Sequence, residues 1–134
     1  MNELIQRRKY FFVFCVLLFI TDNKNTLLTK SFDFALLTVS FCQELQTQKN
    51  FVIANQLLKS GTSIGANVRE AQHAESKSDF IHKLKIASKE CEETIYWLEI
   101  CKASYSLNCE TLLSESKQIG KLLSRIISTA KRNS

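Results

Sequence analysis

The sequence predicts an all-α protein, an antiparallel up-down-up-down four-helix bundle, and three observations carry that expectation. No proline occurs in 134 residues, so nothing in the chain forces a helix to break. From residue 31 onward, apolar residues recur at steps of four and three, the signature of helices that bury one stripe. No stretch alternates as a half-buried strand does. A hydrophobic fraction of 45% with 23% charged residues describes a globular chain rather than a disordered one. Its length suits one domain with a real core.

The first 29 residues stand apart. Arg7, Arg8 and Lys9 precede eleven consecutive apolar residues, 10–20. As a helix that run spans ~16 Å, about half the hydrocarbon core of a bilayer, too short to cross unaided. A charged stretch before an apolar one resembles a secretory signal, but "TDNKN" follows and offers no small-x-small cleavage site. Three readings stay open for residues 1–29: a helix or strand docked on the bundle, a membrane-surface anchor, or an extension from an upstream start site. The bundle domain is assigned to residues 30–134.

The first bundle segment, about 31–45, carries Phe32, Ala35, Leu36, Val39 and Cys42 on one stripe, with Phe34, Leu37 and Phe41 on a second. A helix apolar on two faces needs more cover than one bundle core supplies, which points to self-association. The second segment, about 51–72, places Ile53, Leu57, Ser60/Gly61, Ile64, Val68 and Ala71 on a heptad seam. The third, about 77–104, repeats it with Phe80, Leu84, Ala87, Cys91, Thr94, Leu98 and Cys101, and Ser76 is placed to cap it with Asp79 three residues on. The fourth, about 111–131, has Leu112, Ile119, Leu123, Ile126 and Ala130, flanked by Leu122 and Ile127. Short polar connections join the four.

Several stretches invite a chemical reading. "SGTSIGAN", residues 60–67, has the composition of a phosphate loop, but the Walker spacing, its lysine and its preceding strand are missing. No βαβ unit surrounds it, and no histidine lies near enough in sequence to activate Ser60 or Ser63. The glycines sit inside the heptad seam, so the stretch reads as a strip where a neighbouring backbone comes close, each glycine costing ~1 kcal/mol of helix propensity. Glu70-x-x-His73 and Asp79-x-x-His82 have the spacing of di-iron bundle ligands, yet both pairs flank one connection and lack inward glutamates from other helices. No metal is expected there. Glu90 and Glu93 have no partner group that would make them an acid–base pair; an interhelical ion pair is the expectation. Five cysteines (Cys15, Cys42, Cys91, Cys101, Cys109), odd in number and never spaced C-x-x-C, argue against a disulfide framework or a zinc site and for a reducing compartment.

Charge gives the strongest functional signal. The formal net charge is +5, and the excess sits at the two ends: residues 113–134 hold five Lys/Arg against one acid. Lys117, Lys121 and Arg125 step by four, a cationic strip of ~12 Å on a helix, and Lys131 and Arg132 follow. Such a strip suits phosphates, and with no aromatic residue on the same helix it suits them without base readout.

A resemblance then becomes specific. "KSFDFA" (30–35), "LLKSGTSIGANVREA" (57–71), "SKSDFIHKLKIASKECEETIYWLEI" (76–100) and "IISTAK" (126–131) follow one another in order. Together they resemble the bacterial four-helix-bundle family first noted in intervening sequences of large-subunit ribosomal RNA. The branch most similar includes the accessory variability protein of diversity-generating retroelements. The resemblance implies a left-handed bundle in a homopentameric ring with no catalytic residues. In that branch it further implies binding of RNA or DNA and a reverse transcriptase partner. It marks Ser60, Gly61, Thr62, Ser63, Gly65, Asn67 and Glu70 as structural signature. Residues 1–29 and "KASYSLNC" (102–109) depart from the family pattern. The expectation is a non-enzymatic, cofactor-free, cytoplasmic oligomer that binds RNA, or a nucleic-acid-processing partner, through Lys117, Lys121, Arg125, Lys131 and Arg132. The alternative is a protein-interaction scaffold whose charge serves solubility alone.

Overall fold

The computed structural model describes residues 2–133, apart from the side chains of several N-terminal residues that include all of 10–21. The apolar run 10–20 and Cys15 therefore lie outside the described side chains. Four helices make up the chain: α1 (Asn2–Thr47), α2 (Phe51–Ala71), α3 (Lys77–Tyr105) and α4 (Glu110–Arg132), with no strand among the described residues. Each packs on two others, in the cycle α1–α2–α3–α4–α1. The segment expected to start near residue 31 starts far earlier, because nothing between residues 2 and 31 stops a helix. At 46 residues, α1 is ~69 Å long, whereas the 21 residues of α2 span ~32 Å.

The connections are built from helix-ending chemistry. After α1, Lys49 takes the left-handed conformation at φ 64°. Asn50 N–H donates to the Leu45 carbonyl at 2.8 Å and Lys49 N–H to that of Gln46 at 2.9 Å, the paired bonds of a Schellman ending. Before α3, Ser76 Oγ accepts from Asp79 N–H at 3.0 Å, as its spacing predicts. The Asp79 carboxylate reaches back to Glu75 N–H at 3.1 Å rather than to that of Ser76. Ser106, left-handed at φ 52°, ends α3.

The seams of α2, α3 and α4 fall where the periodicity puts them. Leu57, Ile64 and Val68, then Leu84, Cys91, Thr94, Leu98 and Cys101, then Ile119, Leu123 and Ile126 are all fully buried. Each large apolar side chain so buried contributes about 1.5–3 kcal/mol. Ile53 and Phe80 lie at the margin, and Ala54 replaces Ile53 in the core.

Helix α1 has two apolar faces, as its pattern predicts, but hydroxyl residues share the buried one. Its core stripe is Leu27, Ser31, Phe34, Thr38, Phe41/Cys42 and Leu45, while Phe32 (51% exposed), Leu36 (55%), Leu37 (43%) and Val39 (39%) face outward. Two core places thus go to hydroxyl residues. The reason lies across the seam. A Cβ at Gly61 would stand 2.7 Å from Thr38 Cγ2, and one at Gly65 would stand 3.2 Å from the Ser31 carbonyl oxygen. Thr38 already fills the space over Gly61, and the α1 backbone itself lies over Gly65, so neither place has room for Leu or Phe. The hydroxyls are satisfied within α1: Thr38 donates to the Phe34 carbonyl at 2.8 Å and Ser31 to that of Leu28 at 3.2 Å.

Candidate nucleic-acid interface

The signature stretch of α2 is interior carpentry. Thr94 Oγ1 of α3 donates to Ser60 Oγ at 3.0 Å, and Ser60 donates to the Leu57 carbonyl at 3.3 Å. Thr62, Ser63 and Asn67 bond to carbonyls one turn back, at 2.7, 2.6 and 2.8 Å. Glu70 pairs with Lys83 of α3 at 3.1 Å. All seven signature residues are therefore occupied in holding α2 to its neighbours or in closing their own helix turns.

Beside this seam, a groove of about 430 Å³ runs between α1 and α2. Its wall includes Phe32, whose ring lies under the Arg69 guanidinium at 5.9 Å. The groove adjoins the outward apolar residues of α1 noted above.

The basic residues assemble elsewhere. Lys117, Lys121, Arg125, Lys131 and Arg132 are all exposed on α4. The first three line a groove of about 470 Å³ between α3 and α4, together with Ser88, Glu92 and Ile95 of α3 and with Gly120 and Ser124. Arg125 and Arg132 line its continuation with Ser124, Ser128 and Thr129. Helix α3 adds cations that a single-helix reading misses. Lys77, His82 and Lys85 border a hollow on the same end of α3, and Lys85 lies close enough to Lys131 to be held below the usual lysine range, first by that like charge. An anion between two such ammonium groups relieves their repulsion. The only carboxylate lining these hollows is Glu92. Spacing along one helix could not reveal Lys85, since its proximity to Lys131 of α4 is a tertiary fact.

Other candidates resolve differently. Among the described residues, neither Glu90 nor Glu93 forms the interhelical ion pair expected of it. Glu93 accepts from Trp97 Nε1 within α3 at 3.2 Å. The Glu90 carboxyl is raised by burial and by Glu93, partly offset by Lys59. No group of three or more metal-ligating side chains gathers among the described residues. Cys42, Cys91, Cys101 and Cys109 are free, buried thiols. Burial pushes Cys42, Cys91 and Cys101 up to about 11, so they are poor nucleophiles. Among the described residues, no helix is long and apolar enough to cross a membrane.

No curated protein matches the chain. A crystal structure of an S23 ribosomal protein family member of unknown function from Bacteroides thetaiotaomicron superposes with a TM-score of 0.76 at 45% identity, covering 79% of this chain and 98% of that one. Residues 23–127 match the family described as 23S rRNA-intervening sequence protein. With most of its length matched and its seam glycines accounted for by the fold, the chain belongs to the 23S rRNA-intervening sequence protein family.

Proposed function

We propose that this chain is a non-catalytic, homo-oligomeric up-down-up-down bundle that binds RNA through the basic α3–α4 groove, directly or alongside a nucleic-acid-processing protein such as a reverse transcriptase. The observation that carries the reading is the groove that Lys117, Lys121 and Arg125 line with one carboxylate, Glu92, together with the approach of Lys85 of α3 to Lys131 of α4. Cations that merely confer solubility are interspersed with acids; here Lys117, Lys121 and Arg125 line one groove with a single carboxylate, Glu92. The family's name concerns 23S rRNA intervening sequences, which makes RNA the first nucleic acid to try.

Self-association, with a pentameric ring as the form the family resemblance implies, is supported by the outward face of α1. Phe32, Leu36, Leu37 and Val39 form an apolar strip that no part of the described chain covers. That same strip favours the second reading, a protein-interaction scaffold without nucleic-acid binding.

One experiment separates the two. RNA binding by the full-length protein is measured beside a Lys117→Gln/Lys121→Gln/Arg125→Gln variant, with light scattering on both. Binding that the triple variant loses while keeping its mass supports the groove. An oligomer that ignores RNA at low salt leaves the scaffold.

A further inference from the structure

Three glycines lie in helices, and two are explained by packing. A Cβ at Gly61 collides with Thr38 of α1, and one at Gly65 presses tightly on the Ser31 backbone. Gly120 is different: a Cβ there would meet Cys91 Sγ at 3.6 Å, an ordinary contact. Alanine fits this place, and a helix interior prefers alanine. The chain nevertheless keeps glycine, one turn from either end of the Lys117–Ser124 stretch and on the floor of the α3–α4 groove. Among the described residues, no packing contact requires the methyl to be missing.

The surroundings say what the gap could hold. Gly120 is flanked by Lys117 and Lys121, with Ser124 and Arg125 a turn further on and Ser88 opposite on α3. Ammonium, guanidinium and hydroxyl donors thus surround a bare patch of helix, and Glu92 and Ile95 of α3 complete the lining, three cations against one carboxylate. No aromatic ring lines the groove to stack a base. We infer that Gly120 is the seat of a nucleic-acid phosphodiester backbone, a gap in the α4 surface that lets one phosphate sink between Lys117, Lys121, Arg125, Ser88 and Ser124. The inference rests on the nucleic-acid reading above and deepens it, from a basic face to one place and one ligand group. It makes binding indifferent to base sequence, because the contacts are to phosphate.

The test uses the full-length protein, a fluorescently labelled 20-nucleotide RNA of mixed sequence, and two variants. Gly120→Ala is expected to raise the melting temperature and to weaken binding about threefold. Gly120→Gln fills the gap with a neutral, helix-compatible side chain and is expected to weaken binding at least tenfold. Because every cation is retained, its salt dependence stays within one unit of the wild-type slope. Oligomer mass stays constant throughout. Wild-type affinity in both variants overturns the inference and leaves the nucleic-acid reading standing. A lower melting temperature for Gly120→Ala also overturns it, since the glycine is then needed for packing. Loss of oligomer mass assigns the gap to self-association instead. A wild-type protein that binds no RNA at low salt overturns both readings together.

Discussion

The α1–α2 seam and the α3–α4 groove are both places where a helix has shed side chains, and they have opposite consequences. At the seam, Gly61 and Gly65 admit Thr38 and the Ser31 backbone so closely that an added methyl collides with the one or presses tightly on the other. The bare surface is filled by the chain itself. At the groove, a Cβ on Gly120 would meet the Cys91 sulfur only at van der Waals distance, and Lys117, Lys121 and Arg125 line the opening with Glu92. The same residue type at a helical position thus marks a closed interface in one case and an open one in the other. Composition does not distinguish them; what a Cβ would touch does.

The comparison breaks most visibly if the groove cations are removed. Neutralising Lys117, Lys121 and Arg125 together is expected to weaken RNA binding on the order of 100-fold at low salt and to flatten the salt slope by about 2–3 units. Fluorescence anisotropy across a salt series measures both, and thermal melting should be nearly unchanged because all three are exposed.

The seam comes next. Gly61→Ala is expected to destabilise the fold by ~1–2 kcal/mol, an overpacking cost only partly offset by better helix propensity. Thr38→Ala removes the colliding methyl, so the double variant should recover part of the loss. A double-mutant cycle by urea unfolding reads that coupling, and additive costs would show that the two residues do not meet.

A smaller effect is pH-dependent. Thiols that titrate near 11 in the folded chain and near 8.5 when unfolded bind more protons in the folded state over that interval. Their contribution to stability is complete below the unfolded value and is lost as pH rises through the folded one. The urea midpoint should therefore fall between about pH 8.5 and 11. A serine replacement at Cys91, which donates to the Ser116 carbonyl at 3.1 Å, should reduce that slope. The smallest effect sharpens the contrast best. Gly120→Ala should stabilise the fold by ~0.5–1 kcal/mol, opposite in sign to Gly61→Ala.

Much of this architecture was legible in the sequence, and the exceptions share a cause. Heptad steps placed Leu57, Ile64, Leu84, Leu98, Ile119 and Leu123 in the core because those seams are apolar throughout. They did not say which stripe of α1 the core would take: Phe34 and Phe41 are buried with Ser31 and Thr38, while Phe32 and Leu36 face outward. Close backbone approach selects for smallness, and small residues are often polar. The glycine stretch gave the clue from the other side, since Gly61 and Gly65 announce a close neighbour without saying which. The α4 strip was readable from its four-residue spacing. Lys85 was not, because it lies far along the chain from Lys131 and meets it only when α3 packs on α4. The open floor at Gly120 depends on a distance to Cys91 that no pattern encodes.

The most direct test of the central claim is the affinity of the full-length protein for RNA as monovalent salt rises from low to high concentration. A cationic groove that displaces counterions from several phosphates predicts a straight log–log line with a slope of about −3 to −5. No binding at the lowest salt, or an affinity that does not respond to salt, would contradict it.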